Sequence, residues 1–221
     1  MPSVPSTPPA PTGRAVTRHD VENPSALILM LHGGTSRSTA VVDERSASWR
    51  RSRWMMAQLQ HRAARANTST WLLRYEFRGW NGSGRGPVAD ARWALDEVRR
   101  EVGELPVVLL GHSMGGRTAV AAADDPSVVG VVALAPWLEP GERVHALEGK
   151  RLSAAHGSRD RITSAKATGA FVDRASGVAA SAEFHDMGNV GHYMLRRIPT
   201  WNRFALDRSL EFAGAERTSR R

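Results

Sequence analysis

The 221-residue chain contains no cysteine, which excludes a disulfide framework and any thiolate metal site. That absence is compatible with a reducing cytoplasm, the compartment we expect. No window approaches the roughly 18 consecutive apolar residues that a membrane-spanning helix needs. Lysine is scarce as well: of 30 basic residues, all but Lys150 and Lys166 are arginine. The net charge of +8 invites an anionic partner. The arginine bias, however, accompanies abundant alanine and glycine and reads as a compositional habit. The arginines are also dispersed, apart from a stripe over Arg45–Arg53 and a tail over Arg217–Arg221. We therefore expect no specific nucleic-acid partner. The eight histidines show no HExxH or paired-ligand spacing, so neither a metal nor a cofactor is expected.

The length suits a single domain with room for a full α/β core. Residues 1–13 are proline-rich and lack an apolar h-region, so they read as a disordered leader and not a secretory signal. Residues 14–214 read as the domain, and 215–221 as a basic tail.

What the chain does contain is Pro106-Val-Val-Leu-Leu-Gly-His-Ser-Met-Gly-Gly116. The apolar run predicts a buried strand, and Arg117–Asp124 a helix. Between them Gly111-His112-Ser113-Met114-Gly115 fits G-x-S-x-G in the strand–turn–helix context that gives the motif its meaning. Such a turn strains its central residue and points the side chain outward, so bulk is excluded on both sides. The Ser113 hydroxyl then stands at the carboxyl edge of a sheet, at the positive end of the next helix.

Further strands are predicted at Arg14–Val21 (weakly), Ala26–Leu31, Trp71–Phe77, Val128–Ala135, Arg151–His156 and Ala180–His185. Helices are predicted over 46–66, 87–102 and Ser164–Arg174, with a closing helix over 191–212 interrupted near Pro199. Alternating strands and helices with short loops imply a mostly parallel, doubly wound sheet covered on both faces. Chemistry in such sheets gathers at the carboxyl ends of the strands.

An activated serine needs a base, a carboxylate that orients the base, and donors for an oxyanion. For this type of turn the expected chain order is serine, acid, histidine. His192 lies in the loop after the last strand and is the candidate base. His185, within that strand, and His112, pointing away from the serine, are read as bystanders. Asp160 follows the penultimate strand in His156-Gly-Ser-Arg-Asp160 and is the candidate acid. Asp186 is its rival, and Asp173 falls inside a helix. The oxyanion donors are expected to be the N–H groups of Met114 and Gly34, with Thr35 second to Gly34. Trp80, Trp137, Tyr193 and Met194, together with Thr35, fall near strand ends and are candidate pocket residues.

His32-Gly33-Gly34, Gly111–Gly116, Gly157–Asp160 and Gly191-His192, in this order, resemble the α/β-hydrolase fold superfamily. The resemblance spans most of the chain from Ala26. It implies an eight-stranded, mostly parallel sheet whose first strands pair antiparallel, and a Ser-His-Asp hydrolase acting on a small-molecule acyl ester or thioester. Acyl transfer, perhydrolase or haloperoxidase chemistry on the same residues, or a non-catalytic ligand-binding scaffold, are its alternatives. Members with a lid insert it after the strand ending near Pro136. Here only Trp137–Lys150 stands there, so no separate cap domain is expected.

Overall fold

The computed structural model describes residues 13–214; most of the expected leader and the whole basic tail lie outside the described residues. The strands are β1 (Ala15–His19), β2 (Ala26–Leu31), β3 (Thr68–Arg74), β4 (Val107–His112), β5 (Val128–Leu134), β6 (Arg151–His156) and β7 (Ser181–Asp186). The helices are α1 (Ala47–Arg65), α2 (Arg85–Val102), α3 (Met114–Ala121), α4 (Ala165–Ala175) and α5 (Ile198–Phe212). The strands form one sheet in the order β1-β3-β2-β4-β5-β6-β7, parallel except for β1 against β3. Among the described residues the sheet has seven strands, one fewer than the resemblance implies, and no separate domain stands beside it.

β2 and β4 are buried along their whole length because both faces of the sheet are covered. Continuous apolar runs such as Ala26–Leu31 follow from that. Leu27, Leu29 and Leu31 point into a core shared with α2, α3 and α4, including Leu95, Met114 and Phe171. Ile28 and Met30 point the other way, to Met56 and Leu59 of α1 and Trp201 of α5. β7, at the sheet edge, is largely half-buried or exposed and accordingly carries Glu183 and Asp186.

Several boundaries differ from the sequence reading, among them those of β3, of α3, which the sequence placed at Arg117–Asp124, and of the last helix. β3 starts at Thr68, not Trp71, and ends at Arg74. Thr68, Ser69 and Thr70 are polar by type yet buried, and two of the hydroxyls have hydrogen-bond partners. The Thr68 hydroxyl donates to the Ala66 carbonyl (3.0 Å), and the Ser69 hydroxyl accepts from the Val21 N–H (3.0 Å). The last helix begins at Ile198 with Pro199 in its first turn. There the missing proline N–H has no intrahelical partner to lose, so Pro199 opens the helix instead of interrupting it.

The topology locates the site. From β2 the chain passes through α1 to β3 on one side, then crosses to β4 on the other. The sheet order therefore reverses at β2 and β4, and the carboxyl ends of the strands there frame a crevice. The register pairs Leu31 with Gly111, so the loop opening at His32 faces the turn at Ser113.

Candidate active site

Ser113 sits between β4 and α3 with φ 56° and ψ −118°. A non-glycine residue held there costs roughly 1–3 kcal/mol and persists only if its surroundings impose it. They do: its N–H donates to the Leu134 carbonyl (3.0 Å), and its carbonyl accepts from the N–H groups of Gly116 (3.0 Å) and Trp137 (3.1 Å). A Cβ on Gly115 would stand 2.0 Å from the Leu31 carbonyl oxygen, and one on Gly111 would meet the Gly115 backbone at 2.3 Å. The turn is tight enough that these two positions admit only glycine.

The Ser113 Oγ lies 2.9 Å from His192 Nε2, and His192 Nδ1 lies 2.7 Å from Asp160 Oδ2. All three side chains are nearly inaccessible to solvent. Asp160 is fixed from every side. Its Oδ1 accepts from the N–H groups of Ile162 (2.8 Å) and Thr163 (2.9 Å), the local turn that aspartate favours. Its Oδ2 also accepts from the Thr163 hydroxyl (2.9 Å) and from His156 Nε2 (3.0 Å). Burial pushes the Asp160 carboxyl upward, but the Thr163 and Ile162 N–H groups and His192 together outweigh it and hold the carboxyl below its usual range. The loops carrying the two partners are tied together by the Ser158 N–H to Gly188 carbonyl (2.9 Å) and Arg159 N–H to Val190 carbonyl (3.2 Å) bonds.

The expected bystanders and rivals separate cleanly. Asp186 spends its carboxylate on the Gly188 N–H (2.7 Å), and Asp173 lies in α4. His185 pairs with Glu183 at 3.1 Å. His112, however, does not turn away from the site. Its ring lies 5.0 Å from that of His192, and Nε2 bonds the His192 carbonyl at 3.1 Å. Burial, with the neighbouring His192 adding to it, lowers its pKa to about 3, so the neutral ring donates that bond. The reason is local: the strained turn sends Ser113 out one way and leaves His112 under the loop that carries His192.

Gly34 approaches the turn so closely that a Cβ would meet the Arg78 carbonyl oxygen at 2.4 Å and the Met114 thioether at 2.5 Å. The N–H groups of Gly34 and Met114 make no hydrogen bond with other described residues, whereas the Thr35 N–H donates to the Arg78 carbonyl (2.9 Å). The Thr35 N–H is thereby already occupied. His32 holds this loop: its Nδ1 bonds the Gly33 carbonyl (2.6 Å) and its Nε2 accepts from the Tyr75 N–H (3.3 Å). Complete burial lowers its pKa to about 4, which keeps the ring neutral for both bonds.

Ser113 and His192 open on a cleft of about 500 Å³. Thr35 and Tyr193 are among the residues that line it, and Trp80, Trp137 and Met194 are not. Trp80 and Trp137 instead meet edge to face, and the Arg117 guanidinium lies 4.4 and 4.7 Å from their ring centres. Met194 is 1% exposed and packs in the core against α1 and α5. The cleft walls come from the start of α1 and the residue before it (Ser46, Ala47, Ser48, Arg51) and from Ile162 and Leu195. Trp137–Lys150 forms loops and one short 3₁₀ turn at His145–Leu147. His156 and Thr163 were missed in the sequence, although both stand within four residues of Asp160. Among the described residues, no group of three or more metal-ligating side chains is gathered.

The α/β-hydrolase family model matches residues 28–216, and the chain belongs to the alpha/beta hydrolase family. No curated protein matches it significantly. Its fold is similar to that of MGS-M1, an α/β-hydrolase enzyme from a Medee basin deep-sea metagenome library, at 15% identity, with TM-score 0.70 over 91% of this chain and 93% of that one. It is also similar to Est1E of Butyrivibrio proteoclasticus, solved with ferulic acid bound (12% identity, TM-score 0.68, 92% and 96% coverage). A third likeness is to the Paleococcus ferrophilus monoacylglycerol lipase (14% identity, TM-score 0.63, 92% and 99%). No helix among the described residues is long and apolar enough to cross a membrane.

Proposed function

We propose that this protein is a serine hydrolase that cleaves a carboxylic ester or thioester through an acyl-enzyme. The observation that carries the reading is the continuous line Ser113 Oγ, His192 Nε2, His192 Nδ1, Asp160 Oδ2, with links of 2.9 and 2.7 Å. His192 takes the Ser113 proton as Oγ attacks the acyl carbonyl, and Asp160 holds the imidazole tautomer and stabilises the imidazolium. The N–H groups of Gly34 and Met114 receive the oxyanion, with the start of α3 adding its partial positive charge. His192 then protonates the leaving oxygen or sulfur. In the second half it deprotonates a water that attacks the acyl carbon, which releases the acid and restores Ser113. The monoacylglycerol lipase among the structural neighbours agrees with an ester as substrate.

The test is a fluorophosphonate probe and a series of p-nitrophenyl esters, with Ser113→Ala beside the wild type. Wild type should label once and turn over esters, and Ser113→Ala should lose labelling and about 10⁴-fold or more in kcat. Ester turnover by Ser113→Ala near the wild-type rate refutes the assignment.

A further inference from the structure

The arginine stripe over Arg45–Arg53 has no part in the chemistry above, and its members are not alike. Arg45, Arg50 and Arg53 are exposed, whereas Arg51 is half-buried and lines the same cleft as Ser113 and His192. One guanidinium nitrogen of Arg51 donates to the Met194 carbonyl at 3.0 Å, and the Trp54 ring lies 5.4 Å away. Its Nε is buried with no hydrogen-bond partner, and no carboxylate stands within ion-pair distance among the described residues. Burial alone acts on its pKa, downward, with no anionic neighbour to oppose it. The other cleft arginine, Arg78, already has Asp43 at 3.3 Å and the Val41 carbonyl at 3.2 Å. Neither the cleft lining nor the first turn of α1 contains an aspartate or glutamate.

A half-buried cation without an anionic neighbour is costly, and an anion that joins it from the cleft offsets that cost. Beside its bond to the Met194 carbonyl, the guanidinium keeps further N–H donors and a single positive charge that suit a carboxylate. The exposed side chains of Ile162, Tyr193 and Leu195 on the same cleft supply an apolar surface. We infer that Arg51 selects esters carrying a second, free carboxylate, joined by a short hydrocarbon segment to the carbonyl that Ser113 attacks. The inference rests on the hydrolase reading for the reaction, but not for the binding of the carboxylate.

The test compares two pairs of esters of similar shape. p-Nitrophenyl hydrogen adipate against p-nitrophenyl hexanoate places the charge on the acyl side, and 4-acetoxybenzoate against phenyl acetate places it on the alcohol side. In at least one pair, kcat/KM should favour the anion by about 10- to 100-fold. That ratio should shrink with added salt, collapse toward unity in Arg51→Met and recover in part in Arg51→Lys. Because the ratio is taken within each variant, general damage to the fold cancels, and fluorophosphonate labelling of Ser113 reports whether the site is intact. Ratios near or below unity in both pairs for the wild type, or an anion preference that survives Arg51→Met, overturn the proposal. If no ester turns over and Ser113 does not label, the hydrolase reading fails separately. Calorimetric titration of Ser113→Ala with monomethyl adipate and methyl hexanoate then decides. Saturable binding of the anion alone, lost when Arg51→Met is added, upholds the carboxylate site, and equal or absent binding rejects it.

Discussion

Acidification from about pH 7 to about pH 5 acts on two buried histidines that flank the Ser113 turn. Burial lowers the pKa of His32 from 6.5 to about 4, and that of His112 to about 3. In the unfolded chain both titrate near 6.5, so across this interval the unfolded state binds more protons and stability falls as pH falls. Their contribution is complete above about pH 6.5 and is lost progressively down to the folded values. One and a half pH units below the unfolded value is worth about 2 kcal/mol per histidine, or about 4 kcal/mol for the pair. That is a large part of the stability of an ordinary domain. His156, whose pKa burial also lowers, adds in the same direction. Asp160, held below the usual 3.8, contributes its own loss only at lower pH. Urea unfolding followed by tryptophan fluorescence at about pH 7, 6 and 5 measures the slope. In His112→Gln the side-chain amide still donates to the His192 carbonyl but cannot titrate, so the fall between pH 7 and pH 5 should shrink by about 2 kcal/mol. A stability that is flat over this range, or a His112→Gln slope equal to the wild type, refutes the reasoning.

Three substitutions probe the site and its frame. Gly34→Ala forces the loop away from the Arg78 carbonyl (2.4 Å) and displaces the Gly34 N–H. Ester kcat should fall about 10²–10³-fold with little change in KM, read by steady-state kinetics. Gly115→Ala drives a methyl against the Leu31 carbonyl oxygen at 2.0 Å, a backbone atom that cannot yield. A loss of about 3 kcal/mol or more in urea unfolding is expected. Thr163→Val removes the hydroxyl donor 2.9 Å from Asp160 Oδ2 and leaves both N–H bonds to Oδ1. An approximately tenfold loss of kcat is expected, with the acid limb of its pH profile moved and stability changed by about 1 kcal/mol.

The fold was legible because a sheet covered on both faces writes itself as unbroken apolar runs, and β2, β4 and β5 are such runs. β3 was misplaced by three residues because Thr68, Ser69 and Thr70 are polar by type yet buried, two of them with hydroxyls bonded to the Ala66 carbonyl and the Val21 N–H. Ser113, Asp160 and His192 could be named as candidates from chain order, since each follows a strand of known rank in the sheet, β4, β6 and β7. Their neighbours could not. Whether Trp80 faces the cleft or Arg117 depends on how α3 packs beneath it. Met194 is swung inward by a left-handed backbone (φ 54°) that no residue type nearby announces. The inward turn of Arg51 from a stripe of otherwise exposed arginines is likewise a matter of which helix face meets the cleft.

Two histidines share one carboxylate here, and the sign of their coupling explains why the second is buried. Asp160 Oδ2 accepts from His192 at 2.7 Å and from His156 at 3.0 Å. In the proposed mechanism, a protonated His156 would neutralise Asp160 and withdraw the charge that stabilises the His192 imidazolium. Burial among apolar strands lowers the His156 pKa first of all, and the attraction of Asp160 opposes it without overcoming it. The neutral ring donates to Asp160 through Nε2 and accepts from the Thr168 hydroxyl at Nδ1, 2.9 Å away. A neutral donor fixes the carboxylate without spending its charge. Every lone pair of Asp160 directed away from His192 is occupied, so the carboxylate cannot rotate. The His192 Nδ1–H is thereby held in place, and its Nε2 keeps the lone pair that faces Ser113.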